Sequence, residues 1–451
     1  MFYRKIIDEL KNWKQQADRK PLVLRGARQV GKTTAVEIFS KEFAQYIYLN
    51  LEKSAEAEIF NRGLSLDELI QAIFLSKNKS RKNGKTLLFI DEIQNSAPAV
   101  AMLRYFYEEA KDLYVIAAGS LLEVLIGKRQ ISFPVGRVQY LFMYPLTFEE
   151  FLLAGKSEQA LQIYHSVPMP DFAHKTMLEL FHKYSLLGGM PEIIKKYYET
   201  QDLVSLASVY QALLTAYQDD VQKYARNQTM VEVIRHAIES APFEAGKRIK
   251  FHGFGNSKYR SREMGEALKT LERAMLLYLL YPSTALEPPI MPDLKKSPRL
   301  QFVDTGLLNY FVGLQEYFYK TKDLHSFYQG LLAEHIVGQE LTALNMQAQK
   351  KPSFWVREKK QSNAEVDFII PYKKYVIPLE VKAGKSGALR SLHQFIDRAD
   401  HPFAVRLYAG PLEIVNSKTP AEKPYRLMNL PYFLAGKIID YLEWFIEGCS
   451  Q

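Results

Sequence analysis

Gly26-Ala27-Arg28-Gln29-Val30-Gly31-Lys32-Thr33 decides the reading of this chain. The stretch fits GxxxxGK[ST] at every fixed position. It stands between a short apolar strand pattern, Leu22 to Arg25, and a helical pattern from Lys32 to about Phe43. Glycines allow a loop tight enough for successive backbone N–H groups to turn inward. With the first turn of a helix, those donors make an anion site. Lys32 adds a positive charge where β- and γ-phosphates would lie, the Thr33 hydroxyl suits Mg²⁺, and Thr34 continues the same turn. The expectation is an ATP site built from Gly26, Ala27, Arg28, Gln29, Val30, Gly31, Lys32, Thr33 and Thr34.

About 60 residues further on, Leu87-Leu88-Phe89-Ile90-Asp91-Glu92 carries two carboxylates to the end of an apolar strand. Asp91 is expected to hold Mg²⁺ through water, and Glu92 to polarise the attacking water. A third strand, Leu113 to Ala118, runs into Gly119-Ser120. Ser120 either senses the γ-phosphate or its water, or caps a helix over Leu121–Ile126. Arg137, in Pro134-Val135-Gly136-Arg137, is either an arginine finger or a structural arginine.

The chain has 451 residues, 47% hydrophobic and 24% charged, enough for about three domains with ordinary cores. Its formal net charge of +9 tilts toward a polyanionic partner. A single cysteine, Cys449, excludes a disulfide framework and a Cys-based zinc site within one chain. No run approaches the ~18–20 apolar residues that span a bilayer, and the first residues lack a signal-peptide pattern, so a cytoplasmic protein without membrane association is expected.

Beyond the first sheet, Phe148–Leu153, Leu178–Tyr184, Ile193–Tyr198 and Leu203–Tyr217 carry apolar residues at helical spacing. A later helical pattern puts Met264, Leu268, Leu271 and Met275 on one face, and Met275–Tyr281 follows as a strand. Helix then strand is what a winged helix shows. The Pro288–Pro298 stretch reads as a linker. After it, strands at Phe354–Arg357, Val366–Ile370, Tyr375–Val381, Phe403–Tyr408 and Tyr425–Leu430 surround helices at about Leu331–Met346 and Leu389–Arg398.

These marks resemble a known family. Gly26–Thr33, Asp91–Gln94, Gly119–Ser120, Gly136–Arg137 and Pro145-Leu146-Thr147-Phe148-Glu149-Glu150-Phe151 look like prokaryotic AAA-superfamily ATPases. More narrowly, they match a group with a C-terminal restriction-endonuclease-like domain and no defined biological role. Leu187-Gly188-Gly189-Met190-Pro191-Glu192, Phe302-Val303-Asp304-Thr305-Gly306-Leu307-Leu308 and Pro378-Leu379-Glu380-Val381-Lys382-Ala383-Gly384 support the narrower match. The resemblance also implies a winged helix in the middle of the chain. The expected fold is α/β: a P-loop NTPase parallel sheet over 1–150, a helical lid over 151–237, a winged helix over 238–292, and a C-terminal α/β restriction-endonuclease-like domain over 293–451.

Two charged groupings remain. Between Lys247 and Arg262 six basic residues occur without an acidic one, among them Lys258, Arg260 and Arg262. They suit phosphate contacts on DNA, or form a solvated loop facing a protein partner. In the last domain, Glu334 lies on a helix, Asp367 on one strand, and Glu380 and Lys382 on one face of the next. That is the PD-(D/E)xK pattern, in which Glu334, Asp367 and Glu380 serve Mg²⁺ and Lys382 orients the nucleophile. The bland alternative is an inactive relic with Lys382 in a plain ion pair. Asp304 reads as the cap of the helix behind it.

Three functions compete. The first is an ATP-driven module acting on DNA. The second is a nucleotide-gated switch or scaffold for a protein partner or a second copy, with an inert C-terminal domain. The third is a metal-dependent nuclease that ATP licenses.

Overall fold

Strands β1 (Leu22–Gly26), β2 (Gln45–Asn50), β3 (Thr86–Asp91), β4 (Tyr114–Ala118) and β5 (Gln139–Met143) form a parallel sheet in the order β2-β3-β4-β1-β5. The computed structural model describes residues 2–119, 134, 136–315, 331–357, 364–384 and 389–448. Ser120 and the helix expected over Leu121–Ile126 lie outside the described residues. On β3, Leu87 and Phe89 turn into a core shared with α1 (Ile6–Gln15) and α2 (Lys32–Ser40). Leu88 and Ile90 turn into a second core with α3 (Ser54–Asn61), α4 (Leu66–Ser76) and α5 (Ala97–Glu109). Burial on both faces is why this strand reads as an unbroken apolar run. The strands that the sequence pattern places at Leu22–Arg25, Tyr46–Leu51, Leu87–Ile90 and Leu113–Ala118, and the helix from Lys32, are all present, with ends shifted by at most three residues. Strand β5 is an addition to that expectation.

The stretch after β5 is helical, as its spacing predicts: α6 (Phe148–Ala154), α7 (Glu158–His165), α8 (His174–Leu187), α9 (Pro191–Thr200), α10 (Ala207–Tyr224) and α11 (Gln228–Glu244). Helix α6 starts on a capping box in which Thr147 and Glu150 satisfy each other's backbone N–H groups. Helix α12 (Ser261–Arg273) buries Met264, Leu268 and Leu271 and packs on α11. Strand β6 (Leu277–Leu280) follows and pairs antiparallel with β8 (Arg299–Phe302).

The structure differs from the expected division at two points. The boundary at 237 falls inside α11, and the boundary at 292 falls between β6 and β8, which pair. The proline-rich stretch is a connection within a folded unit. Its neighbour β7 (Pro282–Ser283) even joins the C-terminal sheet beside β9 (Ser353–Val356). Proline removes ladder donors and ends strands, which does not by itself end a domain.

Helices α13 (Thr305–Phe311) and α14 (Leu331–Ala343) lead into that sheet. It comprises β10 (Glu365–Tyr372), β11 (Tyr375–Val381), β12 (Phe403–Tyr408), β13 (Glu413–Lys418) and β14 (Pro424–Pro431), in the order β13-β14-β12-β11-β10-β9-β7. Helix α15 (Arg390–Ile396) covers one face, with Leu392, Phe395 and Ile396 buried against Val366 and Ile369. Helices α14 and α16 (Ile438–Glu447) cover the other. The first sheet is joined directly to this region, because Phe142 N–H on β5 donates to Met346 C=O at 2.7 Å. Among the described residues no helix is long and apolar enough to cross a membrane.

Candidate functional site

The phosphate loop leaves the C-terminal end of β1 and turns through two left-handed residues, Gln29 (φ 64°) and Gly31 (φ 96°), before α2 begins. The second sits at the N-cap, where a side chain would strain the backbone. Lys32 is the first helical residue and is 7% exposed. Its Nζ donates to the Gly26 and Ala27 carbonyls, both at 3.0 Å. Burial holds its pKa below the ordinary lysine value.

Strand β3 brings Asp91 alongside. Thr33 Oγ1 donates to Asp91 Oδ2 at 2.7 Å, and the Tyr48 hydroxyl reaches the same oxygen at 3.3 Å. A hydroxyl and a carboxylate, both hard oxygen donors, therefore stand together, and that pair fits Mg²⁺. Glu92 follows in a left-handed conformation (φ 51°), which turns its side chain off the strand. Burial pushes its carboxyl above the usual range, and a hydrogen bond from Gln94 Nε2 opposes that rise. The loop, Asp91 and Glu92 face a cavity of about 600 Å³. Arg28, Gln29, Gly31, Lys32, Thr33 and Thr34 line it, while Val30 is fully buried behind. Across the cavity stand Phe2, Ile38 and, from the start of α9, Pro191, Glu192 and Lys195.

Four residues that the sequence reading does not assign to the site hold this arrangement. Arg4 donates to Val30 C=O (2.9 Å), Tyr144 C=O (2.8 Å) and Glu150 Oε1 (2.9 Å), so it fastens the rear of the loop to α6. Asp220 on α10 is buried and ion-paired with Arg28, and the Tyr217 hydroxyl donates to Arg28 C=O at 3.2 Å. Asp304 does cap α13, its Oδ1 accepting from Leu307 N–H at 3.0 Å. Its Oδ2 also accepts from Gly189 N–H at 2.6 Å. Gly189 C=O in turn accepts from Leu146 N–H at 2.7 Å, and a side chain on Gly189 would collide with the Leu146 carbonyl. Three stretches singled out in the sequence thus lock together behind the turn that presents Pro191 and Glu192. Asp304 is fully buried, which raises its pKa to about 6.

Arg137 is elsewhere. Strand β5 runs parallel to β1 with Leu22 opposite Gln139 and Gly26 opposite Met143. Arg137 precedes β5, so it lies at the far end of the sheet, about 16 Å of strand from the loop. There its Nε meets Glu108 at 2.8 Å. Ser120 lies outside the described residues, although its neighbour Gly119 is buried against the Gln94 side chain.

The C-terminal grouping is brought together as its spacing predicts. Strands β10 and β11 pair antiparallel with Phe368 opposite Leu379, which sets Asp367 beside Glu380. Asp367 Oδ2 accepts from Val381 N–H at 2.8 Å, and Lys382 Nζ meets Glu380 Oε1 at 2.6 Å. One further residue was not anticipated. Arg299 on β8 is buried among these acids, 3.5 Å from Glu334, 3.9 Å from Asp367, and ion-paired with Glu365. Burial raises the pKa values of Glu334, Asp367 and Glu380, and the Arg299 and Lys382 charges pull them back. Among the described residues no group of three or more His, Cys, Asp or Glu is disposed to hold a metal ion. Of the basic run, Lys258, Arg260 and Arg262 are exposed around the start of α12, and Arg248 is exposed as well, with Glu365 3.6 Å away.

Comparison with known proteins bears on the first region most. Residues 18–152 match the AAA domain family. Residues 178–317 and 329–421 match two domains of unknown function, DUF8612 and DUF4143. No curated protein matches the chain. Among solved structures, similarity extends to PCH-2 of C. elegans, at 11% identity over 45% of this chain and 64% of that one, TM-score 0.29. The Aeropyrum pernix ORC1 protein in complex with DNA gives 14% identity, 69% and 91% coverage, and a TM-score of 0.28. AMPPCP-bound DnaA from Aquifex aeolicus gives 11%, 59% and 86%, and 0.25. Likeness this slight carries no argument. The loop, the acidic strand end and the parallel sheet agree with the similarity of residues 18–152 to the AAA domain family.

Proposed function

We propose that the chain binds ATP with Mg²⁺ and hydrolyses it, and that nucleotide state is passed through the lid to the middle helices and the C-terminal sheet. The observation that carries this reading is the shared cavity: Lys32, the Thr33–Asp91 pair and Glu92 all face it. The backbone N–H groups from Gly26 to Thr34 cradle the phosphates, and Lys32 exchanges two neutral carbonyls for β- and γ-phosphate oxygens. Thr33 would ligate Mg²⁺ and Asp91 would hold it through water, where the ion would neutralise charge on the transferred group. Glu92 orients the attacking water, and Ser120 is the candidate sensor. Arg137 acts on the nucleotide of another copy. DNA is the proposed partner, contacted by Lys258, Arg260 and Arg262 on a winged-helix-like unit. In this reading Glu334, Asp367, Glu380 and Lys382 retain the metal and nucleophile roles of a nuclease-like domain.

A second reading has its own support. Arg299 and Lys382 already neutralise the C-terminal carboxylates, as an inert domain in a nucleotide-gated switch or scaffold would have it. One experiment separates the two. ATP turnover is measured for the wild type and Glu92→Gln, with and without duplex DNA, and the same tubes are checked for cleavage in Mg²⁺ or Mn²⁺. Glu92→Gln should bind ATP normally and lose turnover by about 100-fold or more, because an amide cannot take the water's proton. Unchanged turnover in that variant removes the hydrolytic assignment, and turnover indifferent to DNA favours the scaffold.

A further inference from the structure

Strand β8 and the segment before α12 place two arginines side by side, since Arg299 and Arg248 form an antiparallel bridge. Both guanidinium groups lie over the Phe354 ring, 4.8 and 5.6 Å from its centroid, and both reach Glu365. Arg299 goes deeper. Its Nη1 donates to Asp367 C=O at 3.2 Å and lies 3.5 Å from Glu334. The Asp367 carboxylate accepts from Val381 N–H at one oxygen and has the Arg299 guanidinium 3.9 Å from the other. Glu380 is 6% exposed and its Oε2 is buried without a hydrogen-bond partner among the described residues. So the cluster contains an unused carboxylate oxygen beside a cation that belongs to another part of the fold.

We propose that Arg299, steadied by Arg248, is a tethered cation in the seat of a divalent metal ion, and that it closes the C-terminal cluster to metal while β8 stays paired with β6. A divalent ion needs carboxylate oxygens at about 2.0–2.6 Å and cannot share Glu334 and Asp367 with a buried guanidinium. Two cations so close in a buried setting also repel strongly. Removing the guanidinium leaves Glu334, Asp367 and Glu380 crowded with only Lys382 to balance them. Such a cluster either protonates or takes up a cation. The exposed basic run and Arg248 share the Lys247–Arg262 segment, so a polyanion that takes Arg248 from Glu365 would loosen the seat of Arg299. The inference stands apart from the nucleotide reading and runs against the metal roles that the first reading gives to Glu334, Asp367 and Glu380.

The test is thermal unfolding with and without millimolar Mn²⁺, in a Lys32→Ala background so that the first site does not respond. The protein with native Arg299 should show no Mn²⁺-dependent shift. Arg299→Ala and the milder Arg299→Gln should melt lower and recover by roughly 5 °C at about 100 times the Mn²⁺ dissociation constant. Adding Asp367→Asn with Glu380→Gln should erase that recovery. Both arginine variants are purified with and without Mn²⁺. A variant that folds only with the ion supports the plug. A variant that folds in neither condition, or folds and ignores Mn²⁺, overturns it. So does a Mn²⁺ shift in the protein with native Arg299 that Asp367→Asn with Glu380→Gln abolishes.

Discussion

At the phosphate loop Lys32 rests on two neutral carbonyls while Asp91 and Glu92 face an open cavity. At the C-terminal cluster Arg299 and Lys382 lie directly on the carboxylates. Both regions set a buried cation near acids, yet only the first keeps that cation on partners weaker than an incoming ligand. A polyphosphate outcompetes backbone carbonyls for an ammonium. It does not so easily displace a carboxylate from a guanidinium, since charged hydrogen bonds are roughly twice as strong. A site awaiting a ligand and a site closed on itself can thus share a composition and differ in how the charges are partnered.

The largest effect that would test this contrast is on the loop. Lys32→Ala should lower ATP affinity by about 100-fold or more in calorimetry, because nothing else in the cradle replaces the lost cation. Wild-type affinity in that variant would mean that the site is misassigned.

An intermediate effect concerns the seam between the regions. Glu340 lies on α14 six residues after Glu334, and accepts from Phe148 N–H at 2.9 Å and the Tyr184 hydroxyl at 2.8 Å. Burial raises its pKa to about 7. A carboxyl raised on folding contributes stability that is fully present below its unfolded value, about 4.5, and lost as pH rises through about 7. Glu340→Gln removes that loss, on the order of 3 kcal/mol at most. The variant should therefore gain on the wild type between pH 5 and pH 8 in chemical denaturation. Parallel stability curves would show that the seam does not titrate.

The smallest effect tests whether either region depends on the exposed cations of the middle unit. Reversing the charge at Lys258, Arg260 and Arg262 should weaken DNA binding across sequences. It should also flatten the log–log salt slope by about one unit per lost phosphate contact. An unchanged slope would point to a protein-facing surface.

How far the sequence carried these regions follows from the range of the interactions. The loop and β3 are legible because they are local: a fixed spacing, then four apolar residues ending in Asp91. The pairing of Glu380 with Lys382 is equally local, since period two puts them on one face. Arg299 is not legible. It is a single arginine after Pro298 whose partners lie from 35 to 68 residues later, and no periodicity points across that distance. Strand β13 escapes notice for another reason. It is an edge strand, half exposed throughout, without the apolar alternation that marks a buried one. The far-end position of Arg137 depends on β5, and without that strand its place in the sheet cannot be read.

Arg4 has a practical side. Its guanidinium fastens Val30 of the phosphate loop to Glu150 on α6. Loss of one partner from such a buried ion pair typically costs about 3–5 kcal/mol. An affinity tag whose removal trims residues 1–4, or a fusion that pulls on Phe2 at the cavity wall, would therefore perturb nucleotide binding before any intended substitution did.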